Sequence, residues 1–179
     1  MISERQITFI AEGSDGFIYR LGKDKVAKFE KTIAREIPSS TGKKTKREYR
    51  MGRFLYENGI SVPRPHGIEL ITLSSDTQGV TWPRGFSSRA YPAFVMDYIE
   101  GVVLDDLVFS INAGTNTPWQ ERKHARKMYN REIEKVRDLF VAPLDLGLHN
   151  SIWNREEDRI YLIDFQGWIL PRIPKEQTL

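Results

Sequence analysis

Residues 139–168 read LFVAPLDLGLHNSIWNREEDRIYLIDFQGW. Two apolar runs flank a polar segment, and each run delivers an acid. Four residues separate Asp145 from Asn150. Ile160, Tyr161, Leu162 and Ile163 form a short buried-strand pattern that ends at Asp164, with Phe165 next. The polar turn at 154–159 lets Ile152 and Trp153 pair with residues 161–163 as a hairpin. Such a hairpin brings Asn150 and Asp164 together at its open end. Two oxygen ligands and a nearby carboxylate are what magnesium-assisted phosphoryl transfer requires.

Upstream, residues 6–11 read as a strand, Gly13-Ser14-Asp15-Gly16 as a turn, and residues 17–21 as a second strand. A turn at 22–25 leads to a third strand at 26–29. Small residues in the first turn let backbone N–H groups approach phosphate oxygens. Strand alternation puts Val26 and Lys28 on one face, with Lys25 and Lys31 on the other. Residues 32–45 read as a loop, because Pro38-Ser39-Ser40-Thr41-Gly42 breaks any helix. Residues 46–58 then read as a helix with Tyr49, Met51, Phe54 and Leu55 as its apolar stripe and Gly59 at its end.

Residues 59–65 form an extended connection, since proline disfavours helix before it. Residues 67–73 read as a strand, and the polar stretch 74–92 as a long hairpin or loop. Residues 93–98 are a buried strand that runs into Ile99-Glu100-Gly101. A short helix is expected at 103–111. Thr117 as cap, Pro118 in the first position and Gln120 completing a capping box then start a longer helix. Ala125, Met128, Tyr129, Ile133, Val136 and Phe140 repeat at helical spacing as its core stripe. Its other face reads as solvated. His66, His124 and His149 are scattered, with no metal or triad pattern.

Asp145-x-x-x-x-Asn150 followed by Asp164-Phe165 resembles the catalytic loop and metal-binding Asp of the protein kinase-like superfamily. The resemblance implies Asp145 as catalytic base, with Asn150 and Asp164 as metal ligands. The hairpin of Gly13, Ser14 and Gly16 resembles the glycine-rich loop over the ATP phosphates. Lys28, in Val26-Ala27-Lys28-Phe29, is similar to the strand lysine that reaches those phosphates, and Val26 would cover the adenine. Glu48 resembles the helix acid that pairs with this lysine. Its rivals are weaker: Glu36 is closely followed by Pro38, and Glu57 lies at the far end. Residues 93–101 resemble the hinge between the lobes, with Met96 as gatekeeper and the backbone of Asp97 and Tyr98 hydrogen-bonding adenine. Gly59-Ile60-Ser61-Val62-Pro63 and Met96-Asp97-Tyr98-Ile99-Glu100-Gly101 are most similar to small atypical kinases, the RIO family and the kinase of the KEOPS tRNA-modification complex.

Two positions depart from the family pattern. Pro143 and Leu144 stand where His and Arg usually precede the catalytic Asp, so packing by Leu144, Leu146 and Leu148 is expected to position Asp145. Gln166 follows Phe165, and Gly167 comes one place late. Only fifteen residues follow Asp164, so a truncated C-lobe is expected.

The implied architecture is therefore an α+β, two-lobed protein kinase-like fold. The N-lobe would span 1–98 and the reduced C-lobe 99–179. The implied activity is phosphoryl transfer dependent on ATP and Mg2+ (or Mn2+), by an atypical Ser/Thr protein kinase that autophosphorylates or is activated by a partner. A small-molecule phosphotransferase, a partner-dependent ATPase subunit and a pseudokinase binding module remain as alternatives. The expected partners are a nucleotide and a protein substrate or activator.

Composition bounds the rest. The 179 residues are 40% hydrophobic and carry a net charge of +3, without cysteine. Disulfides, zinc thiolates and catalytic thiols are thereby excluded. Glu4 and Arg5 interrupt any signal peptide, and no apolar run reaches the ~20 residues needed to span a bilayer. A cytoplasmic protein with no membrane partner is expected. Lys43, Lys44, Lys46, Arg47, Arg50 and Arg53 make residues 43–53 basic. That face could meet nucleic acid, but a solvated surface is the favoured reading.

Overall fold

The computed structural model describes residues 7–13, 15–32, 35–109 and 118–170, without the side chains of residues 35, 36, 108 and 109. The expectations for Ser14 and Thr117 fall outside the described residues. The fold is α+β, and its sheets are antiparallel throughout the described pairings. The chain divides into two units, Met1–Arg53 with Pro63–Tyr98, and Phe54–Val62 with Ile99–Leu179.

The first unit is built on a six-stranded sheet. Its strands are β1 (Ile7–Glu12), β2 (Gly16–Leu21), β3 (Lys25–Thr32), β4 (Arg35–Pro38), β5 (Pro65–Ser74) and β6 (Ser88–Asp97). They run in the order β1-β2-β3-β6-β5, with β4 on the far end of β3. β3 is central, and Val26, Ala27, Lys28 and Phe29 are all buried, as befits a strand covered on both faces. Period-two alternation sorts them. Val26 packs with Phe94 and Met96 on one face, while Ala27 and Phe29 join Phe17, Tyr19, Ala93 and Val95 on the other.

The second face is closed by the segment between β5 and β6. Val80, Trp82 and Phe86 pack on it, and Trp82 stacks on Phe86 at 4.1 Å between centroids. The polar stretch is thus a β-hairpin whose last strand pair is Ser74 and Ser88, with a long loop folded back as a cover. Tyr19 donates its hydroxyl to the Gln78 carbonyl at 2.6 Å.

The expected loop at 32–45 is corrected by the structure. β3 runs on to Thr32, and β4 pairs with it through Lys31 and Pro38. Pro38 sits at the edge of the sheet, where its missing N–H is tolerated. Helix α1 (Lys43–Glu57) starts three residues earlier than expected. Its first turn holds no acid of its own. Glu30 on β3 supplies one instead, accepting the N–H groups of Lys44 at 2.9 Å and Thr45 at 3.4 Å. Gly59, at φ 76°, ends the helix, and the Ile60 N–H returns to the Leu55 carbonyl at 3.0 Å.

The second unit holds β7 (Val102–Val103), α2 (Leu104–Phe109), α3 (Trp119–Asp138), a 3-10 turn (Leu148–Asn150), β8 (Ser151–Asn154) and β9 (Arg159–Leu162). β8 lies between β7 and β9. Ala125, Ile133 and Val136 are buried on α3. Phe140 is a correction to that stripe: the helix stops at Asp138, and Phe140, at φ 55°, turns its ring to 84% exposure. The other face of α3 is not wholly solvated either. Glu132 is buried and accepts the Ser61 N–H at 3.1 Å, while the Ser61 carbonyl accepts from Leu162 at 2.9 Å. No helix among the described residues is long and apolar enough to cross a membrane.

Candidate phosphoryl-transfer residues

In the first unit, Lys28 and Glu48 meet. Lys28 Nζ donates to Glu48 Oε1 at 2.8 Å, and both residues are buried, at 6% and 1% exposure. Register explains the meeting. Lys28 lies opposite Ile18 on β2 and Phe94 on β6, so it points to the face on which α1 packs Tyr49 against Phe94. Glu48 is on the inner side of α1 with Met51, which is 1% exposed.

Gly16 opens β2 above this pair. A Cβ there would run into the Phe29 carbonyl oxygen, and the Lys28 Cε lies 3.6 Å from the same position. Only glycine lets the β2 backbone lie so close to the Phe29 carbonyl of β3. The Gly13 N–H donates to the Gly16 carbonyl at 2.9 Å, so it closes the turn. Asp15 is held by Lys44 at 3.0 Å.

Val26 and Met96 are both 7% exposed and share a cluster with Phe94, with Ile18 and Tyr98 at its margin. The chain beyond is firmly tied. The Asp97 N–H donates to the Arg64 carbonyl at 3.0 Å, and the Tyr98 N–H to the Asp24 carbonyl at 2.8 Å. His66 and Asp97 side chains meet at 2.6 Å, and the Arg20 guanidinium sits 3.9 Å over the Tyr98 ring. The N–H groups of Asp97 and Tyr98 are therefore engaged within the protein.

In the second unit, the segment from Asp145 to Asn150 closes on itself. Asn150 Nδ2 donates to the Asp145 carbonyl at 3.1 Å, and the Asn150 N–H to the Gly147 carbonyl at 3.0 Å. Ser151 Oγ donates to the Leu148 carbonyl at 2.8 Å. The His149 ring lies over Gly147, in the space a Cβ would fill, and its Nε2 is 3.6 Å from Asp145 Oδ1. Packing by three leucines does not hold the segment as expected, because Leu144 is 67% exposed. Polar bonds from Asn150 and the bare backbone of Gly147 hold it instead. The sequence signal for His149 was its i+4 spacing from Asp145, legible only once the intervening glycine is seen to leave room.

The hairpin of β8 and β9 pairs Ser151 with Leu162 and Ile152 with Tyr161. At its open end the Ile163 N–H donates to the Asn150 carbonyl at 2.9 Å. Asp164 follows directly, at φ 61°. A non-glycine residue in this region is uncommon, and such conformations gather at functional sites. The donor chemistry fits a hard cation: Asn150 donates through Nδ2, which leaves its amide oxygen for ligation, and Asp164 brings a carboxylate. Among the described residues, no three His, Asp or Glu side chains gather as a metal site.

No protein-family model matches the chain, and no curated protein is similar to it in sequence.

Proposed function

We propose that the chain is an ATP- and magnesium-dependent phosphotransferase with a two-lobed kinase-like fold, acting as an atypical Ser/Thr protein kinase. The observation that carries this reading is the buried Lys28–Glu48 pair. Burying two charges costs several kcal/mol per ion before their attraction is counted. The sheet core around them would pack as well with apolar residues of similar volume. A lysine kept charged in such a place suits a task that needs a fixed cation, and binding polyphosphate is one.

Lys28 would meet the phosphates of the nucleotide, with Glu48 fixing its direction. Gly16 lets the hairpin backbone lie close against the Phe29 carbonyl, beside the lysine. Val26 and Met96 offer an apolar wall for a base. Asn150 and Asp164 would hold the divalent ion, which supplies charge neutralisation on the phosphates. Asp145 would orient the acceptor hydroxyl and take its proton, since its carboxylate is exposed, with the His149 ring 3.6 Å away, and its main-chain carbonyl is held by the Asn150 amide. This chemistry rests on position and electrostatics, so little else is required.

Thermal unfolding with ATP tests the reading. Melting temperature should rise with ATP only when Mg2+ or Mn2+ is present, and Lys28→Met should abolish the rise. A shift of equal size without divalent ion would remove Asn150 and Asp164 from the site.

A further inference from the structure

We propose that the outer face of α1 is a nucleic-acid binding surface that holds the phosphate backbone of a duplex without regard to sequence. At about 100° per residue, Lys43, Lys46, Arg47, Arg50 and Arg53 fall within about 120° of one another around the helix. All five are exposed. Thr45, Glu48 and Met51, on the opposite side, are 2%, 1% and 1% exposed. The cationic stripe is thus set back to back with the face that carries Glu48.

The binding surface rests on Lys43, Lys46 and Arg50, and the helix itself bears few acids. Between residues 40 and 56 the sole carboxylate is Glu48, which is buried against Lys28. Lys44 lies off the stripe, turned to Asp15. The helix N-terminus is not the attraction, because Glu30 already caps the Lys44 and Thr45 N–H groups.

Dimensions favour a duplex. From Lys43 to Arg53 the helix rises about 15 Å. A strand of duplex presents a phosphate every ~3.4 Å along its axis, so about four phosphates face that length. A membrane surface fits less well. A helix that lies in a bilayer interface buries an apolar face, and here Met51 and Leu55 are already buried in the protein. A protein partner fits less well again, since interface cores are apolar and poor in lysine.

The test is fluorescence anisotropy of a short labelled DNA duplex with the purified chain. Affinity should fall about 100-fold between about 50 and 200 mM salt, the slope for about four displaced counterions. The triple variant Lys43→Gln/Lys46→Gln/Arg50→Gln should flatten that slope by about 3 and weaken binding by at least about tenfold at the lower salt. Arg126→Gln/Lys127→Gln/Arg131→Gln on α3 removes the same charge from exposed positions and should leave affinity within about threefold of the parent. If the α1 triple does not fold, Arg50→Gln alone should lower the slope by about 1. Three results would overturn the proposal: no binding at about 50 mM salt, equal losses from both triples, or tighter binding to phosphatidylserine vesicles than to the duplex.

Discussion

Lys28 and Glu48 show how one buried pair constrains what each residue can become. Glu48→Ala takes away the carboxylate 2.8 Å from the ammonium, and breaking a buried pair this way costs about 3–5 kcal/mol. Lys28→Met/Glu48→Leu replaces both charges and should recover much of that loss, as seen in urea unfolding midpoints. The double variant should nonetheless show no thermal response to Mg-ATP, which separates stability from function. A further prediction concerns Gly16. Gly16→Ala drives a methyl into the Phe29 carbonyl, so β2 must shift from β3, and nucleotide affinity should fall more than the melting temperature. The pairing of Lys28 with Glu48 could be read from helix phase and the position of Pro38. The engagement of the Asp97 and Tyr98 N–H groups could not, because their acceptors, Arg64 in the connection before β5 and Asp24 in the turn before β3, are placed by tertiary packing.

At the scale of elements, the cover over the second sheet face is held in part by Tyr19. Burial, with the Glu12 carboxylate adding to it, pushes the Tyr19 hydroxyl up to about 12 from its ordinary 10.0. A pKa raised on folding means the folded state holds its proton more tightly. The stabilisation is full below pH ~10 and is lost as pH rises towards ~12. Unfolding midpoints should therefore decline over that window, and Tyr19→Phe should decline less steeply, with a loss of about 1 kcal/mol at neutral pH from the missing hydrogen bond. Glu30→Ala should cost about 1 kcal/mol as well, by uncapping α1. Neither device is visible in local sequence. Glu30 acts 14 residues from the N–H it caps, and Tyr19 acts 59 residues from Gln78. Most strands, α1 and α3 were legible because each carries its own pattern, whereas β4 was not, since Pro38 reads as a breaker until its partner on β3 is known, and neither was β7, whose Val103 was expected to open a helix. Phe140 matched the period of α3, but the helix ends before reaching it.

At the scale of the whole molecule, the residues proposed for phosphoryl transfer are found in both units. Lys28, Glu48 and Gly16 belong to the first unit, and Asp145, Asn150 and Asp164 to the second. The spacing of the latter three was plain in the sequence, because one hairpin and one tight segment bring them into order. What braces Asp145 was not, since it rests on the Asn150 amide and the bare Gly147 rather than on leucine packing. The most direct measurement of the central claim is release or transfer of labelled γ-phosphate from ATP by the purified chain. The account predicts slow, divalent-dependent turnover, below the ~1–100 s⁻¹ usual for kinases, cut about 10²–10⁴-fold by Asp145→Asn with ATP binding retained, and lost with Asp164→Ala. Turnover that is unchanged by Asp145→Asn, or that proceeds equally without divalent ion, would contradict it.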